Sequence, residues 1–180
     1  MTQSDKTERA GLLRRFARAN QASVAVEFAL TAIPFFMVLF AIIEGGIVFF
    51  TTATLDNAVN DVGRLIRTGQ AQTGNMTTAQ LVEKICGEVV FVSNCTTNLK
   101  IDVRTYSSFS SVAFPTPVDP DGNLITTLQF NMGSAGDIVL VRAFYVWNVL
   151  SPLPTGLANN TGSSRLIQSS VAFRNEPYSS

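Results

Sequence analysis

The sequence predicts an α+β fold: a long apolar helix near the N-terminus extended outward as an amphipathic helix, a second short helix, then an antiparallel sheet of about four strands. Three observations predict it. An apolar run extends from Val24 to Phe50. A helical stripe of Leu55, Val59, Val62 and Ile66 follows it, spaced i, i+4, i+7, i+11 as one face of an α-helix requires. Beyond Cys95 the period switches to two, with Leu99, Ile101 and Val103 alternating with Lys100, Asp102 and Arg104, the pattern of a half-buried strand.

The apolar run is interrupted by Glu27, Glu44 and the pair Gly45-Gly46, so its uncharged stretch, Phe28 to Ile43, holds 16 residues. About 20 residues cross the ~30 Å hydrocarbon core of a bilayer at 1.5 Å rise each. The run as a whole is long enough to span, and both glutamates fall near the two interfaces. Lys6, Arg9, Arg14, Arg15 and Arg18 precede it, which places the N-terminus in the cytoplasm and the rest outside. A removable secretory signal is the rival, but its apolar region is about 7–15 residues and ends at a small-residue cleavage site. Here the run flows into Thr51-Thr52-Ala53-Thr54 without such a boundary, so a retained anchor is expected. The chain divides into a basic leader over 1–22, a transmembrane helix over 23–50 and an outside α+β domain over 51–180.

The 180 residues carry 13 basic and 13 acidic side chains. Removing the leader leaves the remainder acidic by about three charges, without the clustered Lys and Arg of a nucleic-acid footprint. Cys86 and Cys95 are the only cysteines. In an oxidising outside compartment a disulfide closing this short loop is the natural reading, two reduced buried thiols being the alternative. The chain has no histidine, which excludes His-based triads and His-ligated metal sites. Walker, GxGxxG and GxSxG motifs are absent. No catalytic residue, metal or cofactor is expected.

Past the membrane the helix continues to about Thr68, with Asp56, Asn57, Asn60, Asp61, Arg64 and Arg67 on its polar face, and Gly69 and Gly74 stop it. Thr77 with Gln80 has capping-box spacing and opens a second helix near 78–92, carrying Leu81, Val82, Ile85, Val89 and Val92 with Cys86 at its centre. After the strand at Leu99, Pro115, Pro117, Pro120 and Asp121-Gly122-Asn123 make a loop and turn. Leu124 to Phe130 reads as a second strand and Asp137 to Trp147 as the strongest. Arg142 is the one charge inside that strongest strand, which is therefore central and covered on both faces, with Asp102 or Glu176 as the carboxylate that pairs it. Pro152 and Pro154 end this region, and Arg165 to Arg174 is the final strand.

Glu27 is the feature that most demands a function, since an ionisable residue inside a membrane segment is expensive and is kept for a reason. Its block, Ala25-Val26-Glu27-Phe28-Ala29-Leu30, then Pro34 and Ile42-Ile43-Glu44, resembles the N-terminus of TadE-like proteins of the tight-adherence (Flp) pilus system. Val141-Arg142-Ala143-Phe144-Tyr145, Leu150-Ser151-Pro152-Leu153 and Phe173-Arg174-Asn175-Glu176-Pro177-Tyr178 resemble the same family. The resemblance implies a pseudopilin-like protein of the bacterial inner membrane, with a periplasmic domain, whose leader a prepilin peptidase removes. In the family the glutamate lies about five residues past the cut, so the bond implied here is Ala22–Ser23, followed by Glu27 and Phe28. The family's usual residue before the cut is glycine, and this chain has the also small Ala22. The new amine on Ser23 is then implied to meet the glutamate of a neighbouring subunit. Implied partners are a TadF-like pseudopilin, the Flp pilin and the inner-membrane platform. Bland alternatives stand beside each residue: Glu27 as an interfacial carboxylate, Pro34 as a tolerated membrane proline that bends the helix, and Glu44 as an outer-interface position rather than a packing or partner contact. The alternative for the whole chain is an unprocessed, membrane-anchored periplasmic binding or sensory domain.

Overall fold

The computed structural model describes residues 20–120, 122–125, 127–149, 157–160 and 163–178, with side chains from Ser23 onward. The leader before Asn20, Asp121 and the Leu150–Leu153 motif lie outside the described residues. Helix α1 (Asn20–Arg67) is followed by α2 (Gln70–Thr73), α3 (Thr78–Glu88), α4 (Cys95–Asn98), and strands β1 (Leu99–Tyr106), β2 (Ile138–Asn148) and β3 (Ser164–Arg174). Two compact units divide the chain, one through Ile43 and one over Glu44–Ser180; the last two turns of the apolar run thus belong to the second.

In the first unit the described side chains are nearly all exposed apolar groups, Val24, Phe28, Ile33, Phe36 and Phe40 among them. α1 is long and apolar enough to cross a membrane, and an apolar surface this large on a lone helix calls for lipid or partner helices around it. The helix runs uninterrupted through Pro34, whose missing N–H leaves the Leu30 carbonyl without its donor four residues on.

The second unit is built on one stripe of α1. Glu44, Val48, Thr51, Leu55, Val59, Val62 and Ile66 are all buried, at spacings of three or four that keep one face inward. The stripe packs with Leu81, Val82 and Ile85 of α3 and with Ile101, Val103, Val139, Val141 and Ala143, one face of the sheet. Each of the Val, Leu and Ile side chains contributes about 1.5–3 kcal/mol when fully buried. Gly63 lets the helix approach β3, since a Cβ there would stand 2.9 Å from Val171 Cγ1 and 3.1 Å from Phe173 Cε1. α1 stops where Gly69 turns left-handed, φ 77°, under the Tyr178 ring. The Thr77–Gln80 capping box forms as expected at the start of α3.

The sheet is antiparallel in the order β1-β2-β3, so β2 is central. Its register sets Asp102 directly opposite Arg142. The face away from the helices is covered by the segment between β1 and β2: Arg142 Nη1 donates to the Pro115 carbonyl at 2.6 Å and the Gln129 amide donates to Asp102 Oδ1 at 2.8 Å. β2 is thus covered on both faces, as its sequence requires.

Two expectations change. The described residues form three strands rather than about four: Leu124–Phe130 makes only isolated bridges, Val118 to Leu124 and Val103 to Phe130. Around that second bridge, side chains replace the ladder, Asp102 taking the Gln129 amide and Asn131 Nδ2 donating to Thr105 Oγ1. α3 also ends at Glu88 instead of 92, which puts Cys86 in its last turn rather than at its centre. The chain must turn there to bring Cys95 back to Cys86, whose Cα atoms are 5.7 Å apart.

Candidate functional site

Ser23 and Glu27 lie four residues apart on α1, so they share a face. The Ser23 hydroxyl donates to Glu27 Oε1 at 3.2 Å, and both groups are exposed. Thr31 Oγ1 donates to the Glu27 carbonyl at 3.1 Å, one turn further along that face. Phe28 beside them is exposed. Ala22 belongs to the helix backbone, while its side chain lies outside the described residues. The geometry therefore presents a carboxylate one helical turn from the Ser23 backbone nitrogen, where an amine would stand if the preceding bond were cut.

Glu44 stands at the other end of the uncharged run. It is only 4 % exposed and opens the buried stripe of the Glu44–Ser180 unit, so it is covered by protein. Thr51, which carried no signal in the sequence, is wholly buried and donates to the Val90 carbonyl at 3.3 Å.

The disulfide between Cys86 and Cys95 is formed. It closes a nine-residue separation, for which chain-entropy bookkeeping gives about 2–3 kcal/mol. Thiol labelling of the folded protein should find no reactive cysteine until reductant is added, and reduction should lower stability to urea by that amount. Free thiols at once, or no loss on reduction, would contradict the bond.

Asp102, Arg104 and Arg142 form the one strongly charged cluster buried in the described sheet. Arg142 Nη2 and Nε donate to Asp102 Oδ2 at 2.6 and 3.1 Å, and Arg104 Nε donates to the same oxygen at 2.8 Å. Of the two partners expected for Arg142 it is Asp102 that pairs; Glu176 pairs instead with Arg67 at 3.2 Å. The neighbouring cavity, about 260 Å³ beside Pro115 and Pro117, meets a guanidinium already engaged by Asp102 and Pro115. Its arrangement is that of a structural ion pair. Among the described residues no group of three or more His, Cys, Asp or Glu side chains could hold a metal ion.

Fold and site together define an α+β protein carried on an N-terminal apolar helix that fits membrane anchoring, with a carboxylate just inside that helix. Residues 22–64 match the family model described as TadE-like protein. The match starts at Ala22 and takes in Glu27, Pro34 and Glu44. It bears out the resemblance drawn from the N-terminal block, and it does not extend to the strand motifs or the disulfide. No curated protein and no solved structure matches the chain.

Proposed function

We propose that this protein is a single-pass, pseudopilin-like component of Tad (Flp) pilus assembly, held in the bacterial inner membrane with its N-terminus cytoplasmic and its α+β domain periplasmic. Prepilin peptidase cuts it between Ala22 and Ser23. The mature helix then associates with other pilus proteins, a TadF-like pseudopilin, the Flp pilin and the inner-membrane platform among them, and the protein itself performs no catalysis. What carries the reading is the TadE-like match over 22–64 on an apolar helix whose Ser23 and Glu27 lie on one face. A cut before Ser23 places a cation and an anion one turn apart, on the segment that assembling subunits bury against one another. Alanine before the cut keeps the small side chain that a glycine-accepting pocket demands.

The test is the mass of the intact protein expressed with and without the prepilin peptidase. The expected result is a mature chain beginning at Ser23 only in the presence of the peptidase. An unshortened chain in both cultures would favour the unprocessed, anchored binding domain.

A further inference from the structure

The loop between α3 and α4 displays apolar side chains that the fold does nothing to hide. Phe91 is 63 % exposed, and Val90 beside it is exposed as well. Phe91 holds φ at 61°, in the left-handed region that bulky residues avoid. The loop is nonetheless pinned at several points. The Cys86–Cys95 disulfide closes it, Thr51 Oγ1 holds the Val90 carbonyl, and Tyr145 Oη donates to the Ser93 carbonyl at 3.1 Å. A strained backbone fixed from three sides is thus used to keep a phenylalanine outside the core.

Its neighbour says what meets it. The Phe91 ring stands edge-on to Phe50, with centroids 6.3 Å apart, and Phe49 is 73 % exposed next to it. Phe49 and Phe50 end the apolar run, about 8–9 Å along the helix beyond Glu44. With Glu44 at the edge of the hydrocarbon, their backbone stands at the outer limit of the headgroup layer, some 5–8 Å deep on each side of the core, and their side chains, tilted toward the helix N-terminus, reach back into it. Apolar faces carrying Phe and Leu bury about 5–10 Å into the boundary between headgroups and acyl chains.

We infer that Phe91, with Val90, Phe49 and Phe50, forms a membrane-seating wedge that rests in the outer headgroup layer of the bilayer crossed by α1. The occupant of this patch is lipid. The wedge fixes the height of the folded unit above the membrane, and the disulfide is what keeps the loop in that pose. This inference rests on the membrane reading above.

Depth measurements with one added tryptophan separate the two. Trp147 is the chain's only tryptophan and is buried, so the wild-type protein supplies the background. The full-length protein is placed in phosphatidylcholine nanodiscs whose lipids are brominated either near the carbonyl end or near the middle of the acyl chain. Phe91→Trp should be quenched by the shallow bromines about twofold more than Phe109→Trp, an exposed position just beyond the far end of β1. Phe36→Trp should be quenched by the mid-chain bromines. If Phe36→Trp is quenched and Phe91→Trp is not, the wedge is overturned while the anchor stands; protection of Phe91→Trp from aqueous iodide in that case would assign the patch to a protein partner instead. If Phe36→Trp is unquenched, the membrane reading falls and the wedge with it. Val90→Trp reads the same loop should Phe91→Trp fail to form the disulfide.

Discussion

Asp102→Ala should destabilise the Glu44–Ser180 unit by about 3–5 kcal/mol, the loss expected when one partner of a buried ion pair is removed. Both side chains are almost wholly enclosed, Asp102 at 0 % and Arg142 at 3 % exposed, so deleting the carboxylate strands a guanidinium. It also leaves Arg104 and the Gln129 amide without their acceptor. Replacing both members, Asp102→Leu with Arg142→Met, should cost less than Asp102→Ala alone, because no charge is then left buried. Urea denaturation of the three proteins checks this; equal stability of wild type and Asp102→Ala would mean that the pair holds nothing together.

The same group sets a pH dependence. Burial raises the Asp102 carboxyl, but the hydrogen bonds from Arg104, the Gln129 amide and Arg142, with the charge of Arg142, outweigh it and hold the group below its ordinary 3.8. A depressed folded value means that the unfolded chain takes up the proton first on acidification. The stabilisation is fully present above about pH 5 and is lost as pH falls past the ordinary value and through the lowered folded one. The urea midpoint of the wild type should drop in that window, and Asp102→Asn should lack this component.

Much of this architecture was legible because it follows from spacing. The stripe through Leu55, Val59, Val62 and Ile66 faces the core, and β2 is central and doubly covered, which its single interior charge required. Asp102 was one of two carboxylates named for Arg142; cross-strand register, invisible in a lone strand's sequence, chose between them. What misled was propensity read without a partner. Leu124–Phe130 has strand composition, but a strand exists only where a neighbouring ladder runs its length, and here side chains of Asp102 and Asn131 occupy the edge. Val89 and Val92 prolong the apolar period of α3, yet the covalent demand of Cys95 ends the helix at Glu88. The left-handed Phe91 gave no signal, since a bulky side chain is not expected at positive φ. Of the candidate site, Glu27 and its neighbours were readable because a charge in an apolar run is conspicuous, whereas the burial of Glu44 required the rest of the Glu44–Ser180 unit to be in place.

Under the proposed function, Glu27→Ala should leave membrane insertion intact and reduce pilus assembly on the order of tenfold or more, because an ionisable residue in a membrane segment is by default assigned a functional role. Removing it makes the helix more apolar, so insertion cannot be what suffers. What is lost is the acceptor one turn from Ser23, the anion that would meet the α-amine which the proposed cleavage releases, positively charged at neutral pH. Charge, rather than shape, is the discriminating quantity. Glu27→Gln keeps the size and the carbonyl acceptor for the Ser23 hydroxyl yet removes the anion, so it should fail as Glu27→Ala does, while Glu27→Asp should keep part of the function despite its shorter reach. Surface pili counted in each strain, beside membrane-fraction levels of the protein, separate assembly from stability. Wild-type piliation by Glu27→Gln would show that hydrogen bonding suffices and remove the ion pair from the mechanism. Wild-type piliation by Glu27→Ala would make the residue an interfacial bystander.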